Sequence, residues 1–228
     1  MDNVVFQIMQ ICDSNFPTGA FSHSFGLETY IQEGKIKNKQ SFKYALQQYM
    51  ASQFIFTDGL ACRLSYEAIK SGNEQRLWEI DQSLFALCGS RETREGNQRI
   101  GRQFIKVMNE LYPNDLLRNY EAKIKAKELS GHSSLVFAIG MEPLGIDVCT
   151  ILSCYLYSTV STLIQNGVRG IPLGQTDGQR ILRELQSFIL QQVENTLRAS
   201  EDDFGGSVLG LEIAQMRHEQ LSVRLFSS

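Results

Sequence analysis

Asp13, His23 and Glu28 fall within one short run, DSNFPTGAFSHSFGLETY at positions 13 to 30, interleaved with serines and threonines. An acid, an imidazole and a hydroxyl are the parts of a hydrolytic triad, but their spacing here works against one. Ser22, His23 and Ser24 are consecutive, so on a helix their side chains diverge by about 100° each and cannot align a nucleophile, a base and an orienting acid. The nucleophile-elbow pattern G-x-S-x-G is missing. Cys12 is a poor nucleophile because the neighbouring Asp13 raises a thiol pKa. A small helical enzyme using His23 with Asp13 or Glu28 remains as an alternative to a structural corner.

Metal and nucleotide chemistry are weakly signalled. The three histidines, at 23, 132 and 218, show no H-x-H or H-E-x-x-H spacing. Cys149 and Cys154 stand about 140° apart round a helix. No closed metal site is expected within one chain, which leaves His23 or His218 as a transient or shared contact. No G-x-x-x-x-G-K-[ST] loop is present to hold a nucleotide.

The elements that must position these residues are helical. A chain of 228 residues with 43% hydrophobic and 21% charged residues suits one soluble globular domain. A net charge of -3 gives no general attraction to nucleic acid or to anionic membranes. The five cysteines are odd in number and follow no disulfide framework, as expected of reduced thiols buried in a cytoplasmic protein. Asp2 stands where a signal peptide needs basic residues. Val148 to Val168 carries no charge, but its serines, threonines, Gln165 and Asn166 fit the central helix of a bundle better than lipid.

Apolar spacing and punctuation by glycine and proline predict an all-α, single-domain bundle of about eight to ten helices over residues 1–228. A type I turn from Phe16 precedes a helix capped by Ser22, with His23 in its first turn and held neutral there by the helix dipole. Ser41 caps a long helix interrupted near Asp58 and Gly59, which resumes to Gly72. Further helices are expected over 73–88, 90–111, 114–129, 132–141, 147–168, 177–199 and 208–222, with Thr176 or Asp177 capping the penultimate one.

Three surfaces invite partners. Arg91, Arg94, Arg99 and Arg102 share one helix face, and the planar guanidinium suits bidentate contacts. In GIPLGQTDGQR, residues 170–180, the glycines permit close backbone approach. The tail MRHEQLSVRLFSS carries Leu221, Leu225 and Phe226 where a chain end is normally polar, so it docks either on the protein's own core or on a partner.

Taken together, DSNFPTGAFSHSFGLE, SRETREGNQRIGR, GHSSLVFAIG, VRGIPLGQTDGQ and MRHEQLSVRLFSS resemble the urease accessory protein UreF family, in order and across nearly the whole chain. The resemblance implies an all-α homodimer without catalytic activity or tightly bound cofactor. It implies assembly with UreD (also called UreH) and the GTPase UreG, so that nickel is handled by the complex, GTP by UreG, and apo-urease is the recipient. Partner contacts are then expected at Asp13, Phe16, His23, Glu28, Arg91, Arg94, Gly174, Gln175, Asp177 and Gln179. Residues 202–228 supply a docking helix and tail with Arg217, His218, Glu219, Leu221, Arg224, Leu225 and Phe226.

Overall fold

The computed structural model describes residues 3–206 and 209–228, and within them the chain is all-α. Its helices are α1 (Val4–Ile11), α2 (Leu27–Gln32), α3 (Lys39–Tyr49), α4 (Leu60–Lys70), α5 (Glu74–Leu87), α6 (Arg91–Leu111), α7 (Asp115–Lys125), α8 (Ser133–Met141), α9 (Val148–Gly170), α10 (Gln175–Arg198) and α11 (Leu209–His218). The expected start of the last helix, at 208, lies outside the described residues.

Local chemistry fixes most boundaries. Asn73, Asn114 and Asp147 each cap a helix by accepting a hydrogen bond from a main-chain N–H of its first turn. At α3 the cap is Asn38, and Ser41 is its reciprocal partner one turn inside the helix. Thr176 and Asp177 do not cap α10; the cap position is Gly174, and Asp177 lies within the first turn beside Arg180. No break occurs at Asp58 and Gly59. Met50–Gly59 is π-helical and joins α3 to α4 in one continuous rod, with the Phe54 ring packed against Gly59. Counting that rod once leaves ten helices.

Two helices lie at the centre. Every residue of α8 from Ser134 to Met141 is buried among α4, α6 and α9. α9, uncharged except for Arg169 in its last turn, exposes only Cys149, Tyr157 and Arg169, and packs along α10 and the π-helical rod. Buried Asp81 ties the entry of α8 to α5 and α7, accepting from Tyr120 Oη and from the main-chain N–H groups of Ser130, Gly131 and His132. Only Cys62 of the five cysteines is fully buried; Cys149 is exposed and the other three are half-buried.

Candidate partner-binding site

The corner at residues 13–30 is built differently from its sequence-based expectation. Its turn closes three residues early, with Phe16 N–H donating to the Asp13 carbonyl at 2.9 Å. A single 3-10 turn follows at Ala20–Ser22, and α2 begins only at Leu27, after Gly26 in the left-handed region at φ 91°. Ser22 therefore caps nothing and His23 precedes the helix in extended backbone. The left-handed Gly26 also lets α2 approach α11 closely, since a Cβ there would lie 2.9 Å from Gln215 Cγ.

Three of the five quoted stretches converge on this corner, and a fourth touches it. The tail folds back so that Ser24 and Phe25 N–H donate to the Ser228 main-chain oxygen at 2.6 and 3.1 Å. Ser227 N–H donates to Ser22 O at 2.8 Å. His23 Nδ1 meets Ser228 Oγ at 2.8 Å, against α6 where Gly96 leaves room; a Cβ on Gly96 would lie 2.8 Å from that ring nitrogen. Phe226 is 5% exposed, stacked under Arg169 at 4.8 Å and close to Gly170.

A buried charge lock holds the tail. His218 has no exposed surface, and its Nε2 lies 2.9 Å from Glu28 while its Nδ1 lies 2.8 Å from Glu92. With a carboxylate on each side, the ring satisfies both only when both nitrogens carry hydrogen. Glu28 further accepts from the N–H groups of Leu225 and Phe226 at 2.6 and 3.2 Å, and Glu92 from Arg224 at 2.6 Å. Burial pulls the Glu92 carboxyl up, but hydrogen bonds from His218 and Arg224 outweigh it and hold the group below the usual carboxylate range. His23 is pushed down to about 4, by burial first and then by the charges of Arg99 and His218. It is neutral, as expected, but because it is buried rather than because of a helix dipole.

The other candidate residues are scattered around this lock. Phe16 is buried edge-on against Phe104 at 5.6 Å, while Asp13 is exposed and bonded to Asn15. Arg91 is exposed, 3.4 Å from Glu219. Arg94 serves the fold: it donates to the Cys88 carbonyl at 2.8 Å and covers the Phe85 ring. Arg217 is exposed beside Glu33, and Leu221 is half-buried. Gly174, Gln175 and Gln179 are exposed near the start of α10, whereas Gly178 is buried against α9, where a Cβ would lie 3.1 Å from Ile164 and Val168.

Two hollows meet at His23. One is a cavity of about 160 Å³ running inward past Phe16 to Asp58, His132 and Tyr155. The other is a charged depression lined by Arg91, Glu92, Glu95, Arg99 and Arg224. Inside, burial raises the Asp58 carboxyl, opposed by His132 at 3.4 Å. The enzyme alternative finds no dyad here. His23 bonds Ser228, Asp13 bonds Asn15, and Glu28 is committed to His218 and the tail. Among the described residues no group of three or more His, Cys, Asp or Glu is arranged to hold a metal ion; Glu28 and Glu92 sit on opposite nitrogens of His218.

The outside of the same elements is apolar. Leu209, Ile213 and Met216 form an exposed stripe along α11, and Val223 and Leu225 of the tail are exposed too, Leu225 to 62%. On α1, Val5, Phe6 and Met9 are exposed. Sequence reasoning missed α1, where Asn3 makes no side-chain cap bond, and missed Glu92 as the second carboxylate of the lock. Gly96 was the available signal, a glycine inside an arginine-rich helix with no turn to explain it.

A helical fold that holds its own tail through Glu28, Glu92 and His218, with apolar residues turned outward, has the features of an assembly component. The comparisons with known proteins agree. The UreF family model matches residues 36–186. A urease accessory protein UreF from Bacillus sp. (strain TB-90) is 50% identical over 226 residues, covering 99% of this chain and 100% of the relative. Those of Lachnoclostridium phytofermentans and Geobacillus kaustophilus are 46% and 42% identical, each covering 100% of this chain and respectively 100% and 99% of the relative. The chain belongs to the UreF family of urease accessory proteins, and is not itself an enzyme.

Proposed function

We propose that this protein is a urease maturation co-chaperone in the cytoplasm, a homodimer that assembles with UreD (UreH) and UreG and delivers nickel into apo-urease. The observation that carries the reading is the two-sided C-terminal region. Its inner side is fixed by the Glu28–His218–Glu92 lock, and its outer side presents Leu209, Ile213, Met216, Val223 and Leu225 in a set shape. Pre-ordering a docking segment lowers the entropy cost of binding. We assign this outer side to UreD, and the exposed residues of α1, with the α10 start at Gly174, Gln175 and Gln179, to the second copy and the remaining partners.

Nickel is cargo, and GTP belongs to UreG. His218 has no free ring nitrogen for nickel, so His23 is the remaining candidate contact. Arg91, Arg99 and Arg224 line the depression beside it and oppose a resident dication. The test is urease activity and nickel content in cells that keep the urease genes but lack this protein. Loss of both, restored by the wild-type chain and not by a variant with a charged outer stripe, supports the reading. Nickel-loaded, active urease in its absence overturns it.

A further inference from the structure

We propose that Cys12 and Cys154 are a redox pair, an intramolecular disulfide site fastening the end of α1 to α9. Cys12 closes α1 at its C-cap, and Cys154 lies in the second turn of α9. Although 142 residues apart, they meet: Cys12 Sγ is 4.0 Å from the Cys154 main-chain carbonyl oxygen, which places the Cys12 thiol beside Cys154. Both are free and half-buried, and Cys12 lines the 160 Å³ cavity, which leaves room for a small oxidant.

The pair differs from the other three thiols in kind. Cys62 is fully buried and its thiol is pushed up by burial, Cys88 is pushed up to about 11 by the same cause, and Cys149 is exposed on another face of α9. Cys154 is held below the ordinary thiol range by the hydrogen bond from Cys12, against burial, while that contact and burial push Cys12 up. In the proposed step Cys154 is assigned the nucleophile's part and Cys12 that of the resolving thiol.

With hydrogen peroxide as oxidant the step balances. The Cys154 thiolate attacks one peroxide oxygen, the O–O bond breaks, and a sulfenic acid and hydroxide form. The Cys12 sulfur then attacks the Cys154 sulfur, the S–O bond breaks, the S–S bond forms and a second hydroxide leaves. The thiol protons convert both hydroxides to water, so two thiols are oxidised by two electrons and one peroxide is reduced to two waters. A dithiol reductant reverses the change. Because Cys12 directly precedes the segment that carries His23 and Glu28, the bond tethers the entry to the tail lock.

The test is titration of the reduced, full-length protein with hydrogen peroxide, followed by alkylation and peptide mass spectrometry. A Cys12–Cys154 linked peptide two hydrogens lighter than its parts, reversed by dithiothreitol and retained in Cys149→Ser, is the expected result. The oxidised protein should melt roughly 5 to 10 °C higher, as expected for closing so long a loop. In Cys12→Ser, Cys154 should instead persist as a sulfenic acid that dimedone captures. If Cys12 and Cys154 are still fully alkylated at peroxide levels that oxidise Cys149, or if the bonds formed join other cysteines or two chains, the proposal is overturned. That reading comes from wild-type protein alone and does not depend on the variant folding.

Discussion

Glu28 and His218, 190 residues apart, meet at 2.9 Å with both side chains withdrawn from solvent, and this contact joins the first turns of the chain to its last. Glu28 also receives the Leu225 and Phe226 N–H groups, so one carboxylate both meets a buried ring nitrogen and anchors the backbone of the tail.

Removing one member of a buried, hydrogen-bonded pair strands the other. Glu28→Ala should therefore destabilise the protein by about 3–5 kcal/mol in denaturant unfolding. It should also open the tail to proteolysis at Arg224 while the helical core still resists. A loss below about 1 kcal/mol would show that water or another donor replaces the carboxylate without cost.

The acid side of the stability curve follows from His23 and Glu92. The folded protein holds His23 at about 4 against an ordinary 6.5, so its contribution is complete above pH 6.5 and is lost as pH falls toward 4. Glu92 is held below its ordinary 4.5, so its contribution is present above that pH and lost below it. Melting temperature should decline from pH 6.5 downward. In His23→Asn, which keeps a donor near Ser228 Oγ, the decline between 6.5 and 4 should flatten and the steeper loss below 4.5 should remain. An unchanged slope in that variant would assign the upper window to another group.

Most helices were legible because Gly72, Pro113, Gly131 and Gly145 punctuate apolar runs whose period is that of a helix. Boundaries slipped where two polar residues competed for a cap, as with Asn38 over Ser41, since both belong to one reciprocal box. The lock was not legible. Glu28 read as a partner contact and Glu92 as an intrahelical partner of the arginines on the long α6, and only the folding back of the tail places them on either side of His218. The π-helical stretch was equally hidden, because one extra residue per turn leaves the apolar pattern of Met50, Phe54 and Ile55 almost unchanged.

Arg91 and Arg94, alike in sequence, should separate on reversal. Arg91→Glu breaks only an exposed 3.4 Å contact and should leave stability within roughly 0.5 kcal/mol. Arg94→Glu removes the bond to the Cys88 carbonyl and the cover over Phe85, and should cost about 1–3 kcal/mol. Equal melting temperatures for the two variants would contradict this division.

The two glycines at the head of α10 divide the same way. A valine at Gly178 presses on Ile164 and Val168, already 3.1 Å from a Cβ, and should cost roughly 1–3 kcal/mol by overpacking. At Gly174 nothing lies within 4 Å, so valine there should leave the melting temperature nearly unchanged. If Gly174→Val still impairs capture of partners from a urease-expressing extract, the loss belongs to the interface. Full capture by Gly174→Val removes this turn from the partner surface.

The tail itself offers the sharpest division, because its inner and outer sides have different jobs. Deleting residues 219–228 uncovers the Phe226 site and leaves Glu28 without two donors, so the isolated protein should melt several degrees earlier even with no partner present. Ile213→Glu with Leu225→Glu alters only side chains turned to solvent and should leave the melting curve in place. Each apolar side chain buried at an interface contributes about 1.5–3 kcal/mol, so the double variant should bind purified UreD roughly a hundredfold or more weaker. A truncated protein that melts like the intact one would deny the inner role. A double variant that binds UreD at full strength would deny the outer one.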